Sequence, residues 1–268
     1  MNKGDLKTVL VKLAADRGFF ICKRAETKKV KRFLECLHPV TTTKELARFG
    51  QQGDGGYLMP NHLDGVVACF SPGVDVKASF EADMVKRGIP CFLADASVSG
   101  PPFSHPLIHF QKKFLGIVED ESTTTLDKWV NDNAPDHGDM ILQMDIEGGE
   151  WLVLLTASEN VLKRFRIIVI EFHAMERLID PFAFDVISAA LGRLLRFLNV
   201  VHIHPNNHTA ARLGAGLTLP RYIEMTFLRR DCAPITGYAK QFPHPLDVPN
   251  EPSPPDYPLP ADWYRSTP

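Results

Sequence analysis

The run Asp145-Ile146-Glu147-Gly148-Gly149-Glu150 constrains this chain more than any other segment. It follows the apolar run 140–144, which is typical of a buried strand, and precedes the apolar run 152–155, which has helical density. The acids therefore lie in a strand-to-helix turn. In an open parallel α/β sheet, such turns face the crevice where ligands bind. This predicts a functional turn, and the structural alternative is a helix N-terminus with Asp145, Glu147 and Glu150 as cap and dipole partners.

Short apolar runs alternate with helical stretches through the centre of the chain. Because parallel neighbours need crossover helices, the alternation predicts an α/β fold with a mostly parallel sheet of seven strands and helices on both faces. The last strand follows no clear helix and is expected to be antiparallel. The predicted helices, one of them capped by threonines, span 77–87, 123–130 and 182–197, and the predicted strands span 66–70, 90–94, 107–110, 140–144, 166–170, 200–203 and 222–228.

Three regions differ in composition. Residues 1–48 have apolar positions at helical spacing and predict an N-terminal helical segment, residues 49–241 form the α/β domain, and residues 242–268 form a proline-rich tail. We expect the tail to be extended, either poorly structured or lying as an arm on a surface, and to contribute little to the sheet. The basic segment 23–32 is either a solvated helix face or a phosphate-facing patch.

Bulk composition limits the classes of partner and the cellular compartment that we expect. A net charge of -2 gives no reason to expect that the protein binds nucleic acid or an anionic membrane. The sequence contains neither an apolar run long enough for a membrane span nor a secretory h-region. The 5 cysteines form no CxxC pair and suit a reducing compartment, so a cytoplasmic location is expected. A homo-oligomer is compatible with these properties.

Two motifs taken together resemble a known family. The segment 143–151, followed by 168–173 with Glu171-Phe172-His173 at its end, resembles the core signature of FkbM-type S-adenosylmethionine-dependent methyltransferases. The segment 124–127 is similar to the threonine-leucine segment that precedes that strand in the family. Upstream, segments 54–57 and 79–81 resemble motifs of one branch of it.

This resemblance covers about Phe49 to Arg230. It implies a Rossmann-like class I methyltransferase fold and S-adenosylmethionine as the cofactor. It also implies a small-molecule acceptor, and O-methylation of a hydroxyl on a sugar, glycolipid or secondary metabolite is the expected reaction. The branch has a second glycine in the loop after the first strand, and Asp75 replaces it here.

The expected cofactor site lies at the ends of the first strands. Asp95, which ends the second strand, is placed to accept hydrogen bonds from two ribose hydroxyls, with a turn aspartate as the structural alternative. Gly73 lets the loop lie against the methionine portion. Tyr57 either contacts the cofactor or acceptor, or packs in a plain surface turn. The remaining members of the expected set are Ser71, Asp54, Gly56 and Asp145.

Methyl transfer to oxygen requires alignment of donor and acceptor, and a base helps to remove the hydroxyl proton. His173 has the ordinary pKa best suited to this task at neutral pH. Its alternative is a structural histidine bonded to a neighbouring acid. The other catalytic candidates are Asp145, Glu147 and Glu171, and the residues expected to line the acceptor pocket are His204, Asn206 and Asn207.

The histidines also offer metal-ligand chemistry. His202 and His204 share one face of a strand, and with Glu171 and His173 they provide suitable ligand types. No tight metal-ligand spacing is present, so a divalent metal is not favoured. Two alternative functions stay open: a metal-dependent hydrolase built on this cluster, and a non-catalytic methyltransferase-like adaptor that has lost the cofactor through Asp75.

Overall fold

The structure is a computed structural model that describes residues 3–19, 21–74, 77–214 and 216–265. Its helices are α1 (Lys3–Ala15), α2 (Thr27–Glu35), α3 (Ser79–Lys86), α4 (Leu126–Asn133), α5 (Glu150–Thr156), α6 (Glu159–Leu162) and α7 (Pro181–Leu194). Its strands are β1 (Val40–Thr42), β2 (Leu46–Phe49), β3 (Tyr57–Pro60), β4 (Val66–Pro72), β5 (Cys91–Ala94), β6 (Ile108–Gln111), β7 (Phe114–Gly116), β8 (Thr123–Thr125), β9 (Asp139–Met144), β10 (Phe165–Phe172), β11 (Leu198–Pro205), β12 (Arg212–Gly214), β13 (Leu217–Leu219), β14 (Ile223–Arg229) and β15 (Ile235–Tyr238).

The central sheet has seven strands in the order β11-β14-β10-β9-β4-β5-β6. β14 pairs antiparallel with both β10 and β11, and the other pairs are parallel. The sequence-based prediction of a mixed α/β fold with a mostly parallel sheet is confirmed. So is the antiparallel last strand of this sheet, because β14 arrives without a crossover helix.

Both faces of the sheet are covered, which explains why its strands are continuous apolar runs. Side chains alternate between two cores: Ile168 belongs to one, and Ile167 belongs to the other. The first core packs α4, α5 and α7 against the sheet. The second packs α3 and the β2–β3 hairpin against the opposite face.

Two local predictions need correction. Residues 1–48 are predicted to be helical, but β1 lies within this segment and β2 begins in it. β1 pairs with β15, which is remote in sequence, and β2 pairs with β3 across a turn. The predicted helix over 123–130 begins only at Leu126, since β8 pairs with β7 ahead of it. The predicted threonine cap is confirmed at Thr125, whose side chain accepts a hydrogen bond from the Lys128 N–H.

The proline-rich segment 242–265, here called the arm, lies on the domain in extended form. Trp263 is fully buried and its indole N–H donates to the Thr218 carbonyl at 3.1 Å. Leu259 is also buried. The proline content of the arm predicts little packing, but an extended chain still buries the side chains that face the domain. Within the described ranges, no helix is long and apolar enough to cross a membrane.

The arm yields a stability prediction. Trp263→Ala should lower the free energy of unfolding by about 3 to 5 kcal/mol, the usual cost of truncating a buried tryptophan. Denaturant unfolding measures this directly. Phe182→Ala is the control, because Phe182 is 77% exposed and its loss should change stability little. Equal stability of the two variants would mean that the arm does not pack in solution.

Candidate functional site

Four strand ends meet at the carboxyl edge of the sheet. Gly73 follows β4, Asp95 follows β5, Asp145 follows β9 and His173 follows β10. Ligands of open parallel sheets bind at this edge. The described residues line three cavities here, and Asp145 lines all of these.

The largest of the three, the β4–β5 cavity, has a volume of about 470 Å³. Asp95 organises its rim by accepting hydrogen bonds on both oxygens. Its Oδ2 accepts from the Val74 N–H at 3.0 Å, and its Oδ1 accepts from the Ser97 N–H and hydroxyl, each at 2.6 Å. Asp95 is therefore a turn aspartate whose carboxylate also faces the cavity. The lining residues are Gly73, Val74, Ala94, Asp95, Ser97, Phe114, Leu115, Asp145, Ile146 and Glu147.

Gly73 permits a close approach between two strand ends. Its φ is +85°, and a Cβ there would lie 1.5 Å from the Asp145 carbonyl oxygen. No residue with a side chain fits this geometry. The glycine therefore serves first to bring the loop after β4 against the turn after β9, which creates the shared wall of the cavities. Asp75, which replaces the family's second glycine, lies outside the described residues.

The acidic turn is held by Glu150, whose side chain is fully buried. Its Oε1 accepts the N–H groups of Ile146 and Gly148, each at 3.1 Å. Glu147, between them, has a left-handed φ of 56° and a side chain that is 88% exposed. Glu150 therefore fills the structural role that was the alternative for all three acids. Asp145 and Glu147 stay available to the cavities.

Glu150 also orients His173. The same Oε1 lies 3.2 Å from His173 Nδ1. A carboxylate that already receives two N–H groups acts as an acceptor, so Nδ1 carries a proton. Nε2 then faces Glu147 Oε2 at 3.2 Å and Asp145 Oδ1 at 3.9 Å. The Trp151 indole fixes the backbone by donating to the His173 carbonyl at 3.0 Å.

Burial and charge shift the protonation of this pair. Burial raises the pKa of Asp145 to about 7; His173 opposes the rise, while Glu147, Glu150 and Asp54 add to it. Burial alone would lower the pKa of His173, but the Glu150 hydrogen bond and the charges of Glu150, Asp145 and Glu147 raise it. The two groups lie close enough to titrate as a pair.

Tyr57 and Ser71 belong to a buried network next to a small cavity of about 60 Å³, here called the Tyr57 cavity. The Gln143 amide donates to the Tyr57 hydroxyl at 3.1 Å, and the Ser71 hydroxyl lies 2.5 Å from Gln143 Oε1. Ser71 also contacts Glu81, whose pKa is raised by burial. Burial and the charge of Asp145 hold the pKa of Tyr57 well above its ordinary value. Ser71 thus supports the site from below and does not line it.

The predicted turn at Asp54 to Tyr57 forms a second wall. Asp54 lines both the Tyr57 cavity and the third cavity. Gly56 shapes the turn, because a Cβ there would lie 2.0 Å from the Gln51 carbonyl oxygen. The Arg48 guanidinium braces it by donating to the carbonyls of Gln51 at 2.9 Å and Gly53 at 2.7 Å.

The third cavity, here called the Tyr222 cavity, has a volume of about 280 Å³ and a polar lining. Burial, with the charges of Asp145 and Glu224, holds the pKa of Glu171 well above its ordinary value. The Asn206 amide donates to Glu171 Oε1 at 2.9 Å. The cavity is lined by Asp54, Asp145, Glu147, Glu171, His173, Asn206, His208, Tyr222, Asn250 and Glu251.

His204 and Asn207 lie elsewhere, which corrects their predicted role in the acceptor pocket. The His204 ring lies between Asp256 Oδ1, 3.0 Å from Nε2, and Glu224 Oε2, 3.6 Å from Nδ1. The Asn207 amide donates to the Glu251 and Pro254 carbonyls at 3.0 and 2.8 Å. Both side chains hold the arm, His204 from β11 and Asn207 from the turn that follows it.

Metal-ligand side chains come together in a different set from the one expected. Donor atoms of Asp145, Glu147 and His173 lie within 4.8 Å of one another. His202 instead pairs with Asp247 at 2.9 Å. The β11 histidines therefore do not join His173 and Glu171 around one point.

Sequence reasoning missed several lining residues. Lys77 lines the Tyr57 cavity, and Tyr222, Asn250 and Glu251 line the Tyr222 cavity. Tyr222 directly precedes β14, and this position at a strand end was the signal by which it could have been found. The two arm residues gave no such signal, since the path of an extended tail is not encoded in a local pattern.

One family model matches part of the chain. Residues 90–198 match the model described as the methyltransferase FkbM domain. The match contains the turn after β9 and the end of β10, and it confirms the resemblance to FkbM methyltransferases. The Asp54–Tyr57 turn and the arm lie outside it.

Other comparisons add little. No curated protein matches the chain. Among solved structures, the chain is similar to one described as the crystal structure of a fibrillarin/Nop5p complex, with 14% identity, a TM-score of 0.36, and coverage of 61% of this chain and 72% of that chain. A likeness this distant carries no argument about function.

The close approach at Gly73 gives a prediction with an internal control. Gly73→Ala and Gly88→Ala both place a side chain at positive φ, +85° and +76°, but a Cβ at Gly88 meets nothing within 4 Å. Gly88→Ala should cost about 1 to 2 kcal/mol for the backbone alone. Gly73→Ala should cost clearly more, because the Asp145 carbonyl must also move. Thermal unfolding of both variants measures the difference, and equal losses would contradict the contact.

Proposed function

We propose that this protein is an S-adenosylmethionine-dependent methyltransferase that methylates a hydroxyl oxygen of a small molecule. The observation that carries the proposal is that the β4–β5 cavity and the polar Tyr222 cavity meet at Asp145. The first has the walls that a nucleoside needs, and the second suits a hydroxylated acceptor. The FkbM methyltransferase match over residues 90–198 supports this assignment.

The residues present fit the cofactor. Leu115 and Ile146 give the β4–β5 cavity apolar surface for an adenine ring, and Asp95 stands at its rim for the ribose hydroxyls. In the Tyr57 cavity, Lys77 offers positive charge to a carboxylate and Asp54 offers negative charge to an ammonium group. Asp145 Oδ1 is buried without a hydrogen-bond partner among the described residues, so its charge is directed at a bound cation such as a sulfonium.

The reaction needs alignment and a proton acceptor. S-adenosylmethionine, when bound, supplies an electrophilic methyl group whose carbon–sulfur bond breaks as the bond to the acceptor oxygen forms. The Asp145–His173 pair takes the hydroxyl proton, because burial places the pKa of Asp145 at about 7. Glu150 keeps the His173 ring in place. Glu171, whose pKa burial holds well above its ordinary value, lines the acceptor side and forms a hydrogen bond with the acceptor.

We place the reaction in the cytoplasm. Cys69 and Cys91 are register partners in β4 and β5, and both are buried free thiols. Neighbouring thiols of this kind are typical of proteins from a reducing compartment.

Cofactor binding is tested at Asp95. Asp95→Ala should weaken S-adenosylmethionine binding by about 1.5 to 3 kcal/mol, the range for lost hydrogen bonds to a charged group. Isothermal titration calorimetry gives the affinity. The control is Asp120→Ala, since Asp120 Oδ1 also accepts from the N–H and hydroxyl of a serine two residues on, at 2.7 and 3.0 Å, but in another loop.

Equal cofactor affinity of folded Asp95→Ala and wild type would remove Asp95 from the site. The titrations are repeated with EDTA. If the protein binds the cofactor without EDTA but not with it, the cluster of Asp145, Glu147 and His173 is assigned to a metal ion.

Catalysis is tested at the proton acceptor. His173→Ala should lower turnover by about 10²-fold or more, the usual size of a general-base effect, with nearly unchanged cofactor affinity. Asp145→Asn should lower both turnover and cofactor affinity, because the Asp145 charge faces both cavities. Formation of S-adenosylhomocysteine measures turnover, and His137→Ala, at an exposed position, is the control. Full activity of His173→Ala would leave Asp145 as the proton acceptor without help from the histidine.

A further inference from the structure

Positive charge is concentrated at the start of the chain. Residues 1–32 contain 10 Lys and Arg against 3 Asp and Glu, a net charge of +7, whereas the whole chain carries -2. The remaining residues therefore carry -9, so the small net charge of the whole chain conceals two regions of opposite sign. A region with one sign of charge attracts partners of the other sign. The basic segment 23–32 is the densest part of this positive region.

The structure places this segment along a groove, here called the basic groove, between residues 23–29 and the start of α7. The groove has a volume of about 760 Å³. Two contacts hold the segment against the residues that precede α7. The Ala25 N–H donates to the Ile179 carbonyl at 2.8 Å, and the Cys22 thiol donates to Asp180 Oδ2 at 3.4 Å. The basic segment is therefore a wall of a defined groove as well as a helix face in solvent.

Positive side chains dominate the lining of the basic groove. Lys23, Arg24 and Lys28 are exposed and form no ion pair with any residue that the structure describes. Lys29 pairs with Asp185 at 3.0 Å, but the two side chains are 56% and 70% exposed. An ion pair this exposed is weak, so an external anion competes for the lysine. The groove thus offers four cationic side chains, against two carboxylates in its lining.

Large apolar side chains are exposed next to the same groove. Phe182, at the start of α7, is 77% exposed, and Ile21, just before the basic segment, is 53% exposed. Among the described residues 14 large apolar side chains are exposed, and half of them are Phe182 and six side chains between Val9 and Ile21. Val9, Leu10 and Leu13 share one face of α1, because three and four residues separate the first two from the third. Apolar surface of this extent next to basic residues is typical of a protein that lies on a membrane.

We propose that the basic groove, with Phe182 and the exposed apolar side chains of residues 9–21, binds a membrane that contains anionic lipids. The basic side chains contact lipid phosphates, and the apolar side chains enter the boundary between headgroups and acyl chains. The cytoplasmic leaflet carries such lipids, which agrees with the compartment proposed above. The inference does not depend on methyl transfer.

Two other anionic or apolar partners fit this surface less well. Nucleic acid is bound through basic residues and aromatic rings on which bases stack, whereas most of the exposed apolar side chains here are aliphatic. The same face of a second copy carries the same positive charge and repels the first. A bilayer with anionic headgroups matches both the charge and the aliphatic side chains.

The experiment uses the full chain and vesicles of two compositions. One contains phosphatidylcholine alone, and in the other one third of the lipid is phosphatidylserine. Co-sedimentation measures the bound fraction. We expect binding to the vesicles with phosphatidylserine only, and a loss of affinity of about tenfold or more when salt rises from about 0.1 M to about 0.5 M, because salt screens exposed charges.

Removal of the groove charges tests the electrostatic part. The combined variant Lys23→Gln, Arg24→Gln and Lys28→Gln should weaken binding to phosphatidylserine vesicles about 100-fold, since each basic residue near an anionic surface contributes about fivefold. The control variant loses the same charge from three side chains in other parts of the chain, which are 71%, 53% and 52% exposed: Lys86→Gln, Lys128→Gln and Lys163→Gln.

A matched pair of isoleucines tests the apolar part. Ile21 and Ile235 are each 53% exposed, but Ile235 lies in β15. Ile21→Ala should weaken vesicle binding about fivefold and Phe182→Ala about tenfold, because each removes apolar surface that the bilayer covers. Ile235→Ala should bind vesicles as the wild type does.

Four results would overturn the proposal. These are no binding to either kind of vesicle, equal binding to both kinds, equal vesicle affinity of the groove variant and its charge-matched control, and equal affinity of Ile21→Ala and Ile235→Ala. A dimer in light scattering that Ile21→Ala and Phe182→Ala dissociate, without vesicle binding, would assign the surface to a second copy instead. Binding of an RNA oligonucleotide without vesicle binding would assign it to nucleic acid.

Discussion

The hydrogen bonds of the Glu150 carboxylate are the interaction on which the site depends. A fully buried carboxylate is costly unless it is paired, and Glu150 Oε1 meets this requirement by receiving two backbone N–H groups of its own turn and facing His173 Nδ1. One side chain therefore fixes the turn after β9 and the histidine after β10. Without it, the turn that carries Asp145 and the ring of His173 would lose their shared hydrogen-bond partner.

Carboxyl groups are concentrated at this edge of the sheet, and two effects reduce the repulsion between them. Burial raises the pKa of Asp145 and of Glu171, which favours their protonated forms. Where partners exist, imidazole rings provide positive charge, as His204 does between Asp256 and Glu224. The first group faces the cavities and is chemically active in the proposed reaction. The second holds the arm.

Sequence patterns predicted the sheet well because each strand has its own signal. β9 and β10 are continuous apolar runs that end in acids and a histidine, and their carboxyl ends had to share an edge. Local patterns also predicted Gly73 and Asp95 at strand ends, and both residues line the β4–β5 cavity. The arm was different: Asn250 lines the Tyr222 cavity because it contacts Glu224, and Glu251 lines it because it contacts Asn207. Both partners are distant in sequence. Contacts between residues this far apart leave no periodic pattern in the sequence from which they could be predicted.

The central claim is that the β4–β5 cavity and the Tyr222 cavity form one reaction site joined at Asp145. A crystal structure with bound S-adenosylhomocysteine tests this most directly. The account predicts the adenine against Leu115 and Ile146, the ribose hydroxyls at Asp95, and the sulfur on the side of Asp145 that opens toward His173. Binding at another place, such as the groove between Arg24 and Phe184, or a sulfur directed away from the Tyr222 cavity, would contradict it.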